Sequence, residues 1–148
     1  MGDKVKITGP YGDFYPSESS KKEIIFLAGG IGITPFYAVI KDFYERKINK
    51  KFILFYSNRN KADIIFLKEF NELLKNWKNL RIIHILTREK EKYPDVKEYR
   101  RLNIEMIKNY LKNLREKDYF ICGPSNFVLD MRNQLKNAGV EQDCIKIE

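Results

Sequence analysis

Three glycines fall within four residues in the run Leu27-Ala28-Gly29-Gly30-Ile31-Gly32-Ile33-Thr34-Pro35-Phe36. An apolar stretch precedes them and a segment with helical spacing follows, the setting in which a glycine loop cradles a pyrophosphate. Gly30 and Gly32 permit a tight turn and a close approach of backbone N–H groups to an anion. Thr34 stands where a helix cap is expected. Pro35 suits the first helical position, because the N–H it lacks would have no partner there. The helix start then adds partial positive charge toward a phosphate. On this reading Gly32→Val fills the space of the pyrophosphate and abolishes binding while the fold survives.

A dinucleotide site usually carries an acid at the end of the second strand, holding the ribose 2′-hydroxyl. Here that strand ends Phe55-Tyr56-Ser57-Asn58-Arg59, without a carboxylate. Ser57 and Arg59 are candidates for a 2′-phosphate, which a guanidinium grips through two parallel hydrogen bonds. Arg88 and Arg101 are further cationic candidates, each equally readable as a surface arginine. A second glycine turn, Cys122-Gly123-Pro124-Ser125, again lies between a strand and a helix, at the sheet edge where ligands of open parallel sheets bind. Cys122 there stands beside the reacting end of a ligand, or is a small core residue. His84, the only histidine, sits between Ile83 and Ile85 and reads as a satisfied core position. No nucleophile elbow or paired-carboxylate pattern supports hydrolase chemistry.

The elements that must hold these loops are legible. Residues 23–28, 51–57, 80–87, 118–122 and 144–147 each fit one strand, and the first four are so continuously apolar that both their faces must be covered. Four stripes with 3.6-residue spacing lie between them: Phe36, Val39, Ile40 and Phe43; Phe66, Phe70, Leu73, Leu74 and Trp77; Ile104, Ile107 and Leu111; and Phe127, Val128, Met131 and Leu135. Alternation of strand and helix predicts an α/β, doubly wound, five-stranded parallel sheet of Rossmann-like type. Residues 1–16 break the pattern. Val5 and Ile7 alternate with polar residues, and Gly9-Pro10-Tyr11-Gly12-Asp13-Phe14 follows, so this stretch reads as the terminal strand of a different domain. A polar linker, residues 16–22, separates it from the domain of residues 17–148.

The composition excludes several classes. The 148 residues hold 28 Lys and Arg against 20 Asp and Glu, a net charge of +8, and 43% are hydrophobic, enough for a packed core. The lysines are interspersed with acids rather than clustered with aromatics, which argues against nucleic acid as a partner. Only Cys122 and Cys144 are present, without metal-ligand spacing, and no apolar run reaches the length of a membrane span. The opening Met1-Gly2-Asp3-Lys4 carries no apolar signal region. A cytoplasmic globular domain is the expectation.

Taken in order, these segments resemble the ferredoxin–NADP reductase superfamily of FAD/NAD(P) oxidoreductases. GPYGDF at 9–14 looks like the segment that closes the family's FAD-binding barrel. LAGGIGITPF at 27–36 resembles its pyrophosphate loop, and YSNR at 56–59 its adenosine-side loop. LTRE at 86–89, CGPSNFV at 122–128 and the closing GVEQDCIKIE match later segments. The resemblance implies a domain that receives NAD(P)H and places its nicotinamide against FAD, with electrons passing on to an iron–sulfur protein, haem or flavodoxin. It assigns Gly29, Gly30, Gly32, Thr34 and Pro35 to the pyrophosphate loop. Ser57, Asn58, Arg59, Thr87, Arg88 and Arg101 fall to the adenosine side, and Cys122, Gly123 and Pro124 to the nicotinamide side. Cys122 and Thr34 are its catalytic candidates. The family's Arg-x-Tyr-Ser flavin motif is absent, so a separate FAD-binding domain is the implied partner, on the same parent chain or another subunit. The arginines and the missing acid favour NADP(H) over NADH. The alternatives are a nucleotide-binding docking or regulatory module without redox activity of its own, and an interaction domain of an electron-transfer assembly.

Overall fold

A computed structural model describes residues 6, 14–20 and 22–148. The strand expected at Val5 and Ile7, and the start of the GPYGDF segment, lie outside the described residues.

Five strands form one parallel sheet: β1 (Glu23–Gly29), β2 (Phe52–Asn58), β3 (Leu80–Leu86), β4 (Lys117–Cys122) and β5 (Ile145–Ile147). Their spatial order is β3-β2-β1-β4-β5. The chain runs outward from β1 through β2 to β3, then returns to the other side of β1 to lay down β4. That reversal opens a crevice at the carboxyl ends of β1 and β4, the general ligand position in open α/β sheets. The register sets its floor, with Gly29 opposite Ser57 and Ala28 opposite Cys122.

Both faces of the sheet are covered, as the unbroken apolar strands require. On one face α1 (Ile33–Glu45) and α2 (Leu67–Asn76) pack on an aromatic core. Phe26 stacks on Phe36 with ring centroids 4.5 Å apart, and Phe43 meets Phe52 edge-on. On the other face α3 (Ile104–Tyr110) and α4 (Ser125–Asn137) bury Met106, Ile107, Val128, Met131 and Leu135 against Leu27, Phe55 and Ile121. Two members of the expected second stripe depart from it. Leu74 is exposed, and Phe66 stands just before α2 in the left-handed region, stacked on Tyr37 at 4.1 Å.

The described part of the polar segment before β1 is docked rather than free. The Phe14 ring packs on Phe36 and Phe120, and the Tyr15 hydroxyl donates to Asp42 at 2.6 Å. Arg46 pairs with Glu18 at 2.7 Å, Ser20 Oγ donates to Asp118, and the buried Lys50 ammonium donates to the Ser20 carbonyl. Composition marks residues 16–22 as loop, but Glu18 and Ser20, with Phe14 and Tyr15 just before them, find partners at α1, β4 and Lys50.

Candidate functional site

The β1–α1 loop is shaped by two glycines with different tasks. Gly30 takes a positive φ of 54° at the head of a 3-10 turn, Gly30–Gly32, and a Cβ built there would meet nothing within 4 Å. Gly32 is the reverse: a Cβ there would overlap the Cys122 carbonyl and lie 2.6 Å from the Gly123 amide nitrogen. Gly32 is therefore the position that lets the first loop seat against the end of β4. This corrects the expectation for Gly32→Val, since the side chain strikes protein backbone before it reaches any ligand.

Thr34 does not cap α1. The helix begins at Ile33, its N-cap is Gly32 without a side-chain bond, and Thr34 Oγ1 donates backward to the Ile31 carbonyl at 3.2 Å. Pro35 accordingly sits within the first turn rather than at its first position, where its missing N–H still removes no intrahelical bond. The 3-10 turn runs straight into α1, and the Ile33 N–H donates back to the Gly30 and Ile31 carbonyls. Neither α1 nor α4 has a side-chain cap or an acid in its first turn, whereas α2 and α3 carry Glu69 and Glu105 there. The N-cap residues of α1 and α4, Gly32 and Pro124, both line the crevice, so two helix N-termini without an acid in their own first turns meet at it.

The crevice has two lobes divided by Ile31, a residue 68% exposed. The larger, about 470 Å³, is lined by Gly29, Gly30, Ser57, Asn58, Arg59, Asp63, Thr87, Pro124 and Phe127. The smaller, about 420 Å³, is lined by Gly32, Thr34, Pro35, Cys122, Gly123 and Glu148. The fold thus gathers twelve of the fourteen expected site residues around one crevice. Arg88 and Arg101 are the exceptions. Neither lines the crevice; the Arg88 N–H donates to the Arg59 carbonyl at 2.9 Å, which sets the two residues on adjacent loops.

Asp63 and Glu148 were not among the expected residues. Asp63 lies five positions beyond the end of β2, and its carboxylate accepts from the Asn60 N–H at 3.0 Å, closing a capping box with Asn60. The Asn-x-x-Asp spacing was the available signal. Glu148 faces Cys122. Burial first, and then the Glu148 charge, push the Cys122 thiol up from its ordinary value, so it is protonated at neutral pH. A nucleophilic thiolate is not what this position provides.

His84 is in the core, 5% exposed, but it is not satisfied, because its Nδ1 has no hydrogen-bond partner. Burial lowers its pKa from 6.5, with Asp95 opposing and Lys61 adding to the effect. The folded form resists a proton that the unfolded chain accepts, so stability present above pH 6.5 is lost as the pH falls through it. A melting series from about pH 7.5 to about 5.5 should show a steeper fall for wild type than for His84→Leu, by up to ~1.4 kcal/mol per pH unit. Parallel curves contradict this.

An open five-stranded parallel sheet with a glycine loop and two bare helix ends at its switch point defines a nucleotide-binding α/β domain. The chain belongs to the oxidoreductase NAD-binding domain family, whose model matches residues 26–133. One component of the Na(+)-translocating NADH-quinone reductase of Histophilus somni, its F polypeptide, is 30% identical over 152 aligned positions, covering 99% of this chain and 37% of the relative. The corresponding polypeptide of Pasteurella multocida is 28% identical, with the same coverage of 99% and 37%. The chain spans about a third of the length of these relatives. Among solved structures, the Amycolatopsis cytochrome P450 reductase GcoB superposes with a TM-score of 0.79 at 21% identity, over 95% of this chain and 42% of that one. A Neisseria gonorrhoeae ferredoxin NADP+ reductase with bound FAD and NADP gives 0.75 at 22%, over 93% and 60%. The likeness to these two is one of fold.

Proposed function

We propose that this chain is the NADH-binding domain of a flavin-dependent oxidoreductase and works beside an FAD-binding domain. The observation that carries the reading is the meeting of two acid-free, uncapped helix N-termini with the glycine loop at one crevice. That is a site for a pyrophosphate flanked by two lobes, one for each half of a dinucleotide. The residues fit such a ligand, since Gly30 leaves open space where any side chain would intrude. When bound, the nicotinamide supplies a hydride to a neighbouring flavin.

The chain's own residues bind and orient. Gly30 and the starts of α1 and α4 hold the pyrophosphate through backbone N–H groups. Thr34, the protonated Cys122 thiol and Glu148 wall the nicotinamide lobe, and Ile31 keeps the two halves apart. Ser57, Arg59, Asp63 and Thr87 form the adenosine lobe. The arginines by themselves favour NADP(H), but Arg59 lines that lobe together with the Asp63 carboxylate, and Arg88 stands outside it. A carboxylate accepts a free ribose hydroxyl and repels a 2′-phosphate, which supports NADH. The relatives in Histophilus and Pasteurella are NADH-quinone reductases by name. We place the domain in the cytoplasm, with the NADH pool; among the described residues no helix is long and apolar enough to cross a membrane.

The test is calorimetry of the purified chain with NADH and with ADP-ribose, each expected to bind at one site. The described residues form a single open sheet with no barrel to enclose an isoalloxazine. The chain alone is therefore expected to be colourless and to lack reductase activity until an FAD-binding domain is added. A sample that retains stoichiometric flavin through purification contradicts this.

A further inference from the structure

Asn58 ends β2 on the wall of the adenosine lobe and is only 5% exposed. Its backbone carbonyl is in use, accepting from the Thr87 N–H at 3.0 Å and from Thr87 Oγ1 at 3.2 Å. Its side chain is underused: Nδ2 and Oδ1 are both buried, and neither makes a hydrogen bond of ordinary geometry. The Tyr56 hydroxyl, which accepts from the Ile65 N–H at 3.2 Å, is close enough for Asn58 to bear on its ionisation. It makes no bond of ordinary geometry to the amide. A buried amide with donor and acceptor both unmade costs the fold stability that an apolar side chain of the same shape would not forfeit. In Asn58 that cost falls on the wall of a ligand-sized lobe.

The chemistry of the group narrows that work. A carboxamide presents one donor and one acceptor in a single plane, the complement of the adenine edge, where the N6 amine donates and N7 accepts. The other parts of a dinucleotide already have partners here: the bare helix ends for the pyrophosphate, and the Asp63 carboxylate, a pure acceptor, for a ribose hydroxyl. Building on the nucleotide-binding reading above, we propose that Asn58 is the base-reading residue of the crevice. Its amide turns out of the wall to pair with adenine, so the domain selects adenine over hypoxanthine, which has an acceptor where adenine has its amine.

The test measures binding of 5′-AMP, 5′-IMP and 2′-deoxy-5′-AMP to the purified chain by calorimetry, for wild type, Asn58→Leu and Asn58→Ala, with a melting curve of each protein. Wild type is expected to prefer AMP over IMP about tenfold. Both variants should bring the two within about twofold, and Asn58→Leu should melt no lower than wild type. The proposal is overturned if wild type binds AMP and IMP alike, or if folded variants keep the AMP preference. It is equally overturned if the variants lose discrimination against 2′-deoxy-AMP while keeping that against IMP, because Asn58 then reads the ribose. Wild type that binds ADP-ribose while any of these results holds leaves the nucleotide reading standing. Wild type that binds neither ADP-ribose nor AMP removes both.

Discussion

Gly32→Ala should lower the stability of the domain by about 3 kcal/mol or more, enough to move the melting midpoint down by roughly 6–12 °C. The added methyl has no free volume. It overlaps the carbonyl of Cys122 and crowds the amide nitrogen of Gly123, and both are backbone atoms pinned by the β1–β4 ladder that ends at Ala28 and Cys122. Relief requires the first loop to lift off the end of β4, which dismantles the crevice and loosens the central strand pair together. Gly30→Ala is the control. Its methyl meets nothing, and its cost is the left-handed backbone, ~1–2 kcal/mol. Gly30→Ala is therefore expected to stay folded and to bind ADP-ribose more weakly, while Gly32→Ala fails first in the melting curve. Equal melting midpoints for the two variants contradict this division of labour.

The second large effect is on nucleotide choice. Wild type should bind 5′-AMP at least tenfold more tightly than 2′,5′-ADP, and Asp63→Ser should close or reverse that gap. A 2′-phosphate brings ~1.5–2 negative charges into a lobe that already holds the Asp63 carboxylate. Tenfold is about 1.4 kcal/mol, well below the ~4 kcal/mol of two unit charges 4 Å apart near a protein surface, so solvent screening leaves room for it. Arg59 pulls in the opposite direction, and Arg59→Ala should widen the preference for AMP. A wild type that favours 2′,5′-ADP contradicts the assignment and restores NADP(H).

The sheet was legible because its strands are buried on both faces. Runs such as Ile24 to Ala28 admit no solvent-facing residue, and all five strands lie within a residue or two of their expected positions. The crevice was legible as a set of loops, since glycine and proline between a strand and a helix mark the turns that must surround it. Three features were not, each for a spatial reason. Gly32 reads as a ligand contact in sequence, but the atoms that fill its missing side-chain space come from the end of β4, far along the chain. Asp63 reaches the lobe only because a short 3-10 turn, Lys61–Asp63, folds the chain back toward the end of β2. Thr34 looks like a cap until the preceding 3-10 turn advances the helix start to Ile33.

The proposed function requires the crevice at the carboxyl ends of β1, β2 and β4 to be a dinucleotide site. Titrating the isotope-labelled chain with ADP-ribose and following its backbone amide resonances tests this most directly. Saturable shifts are expected at Gly29 to Thr34, Ser57 to Arg59, Thr87, Gly123 and Ser125, with the amides of Asn49 to Lys51 at the opposite end of the sheet unmoved. No saturable shift, or shifts centred on that opposite end, would contradict it.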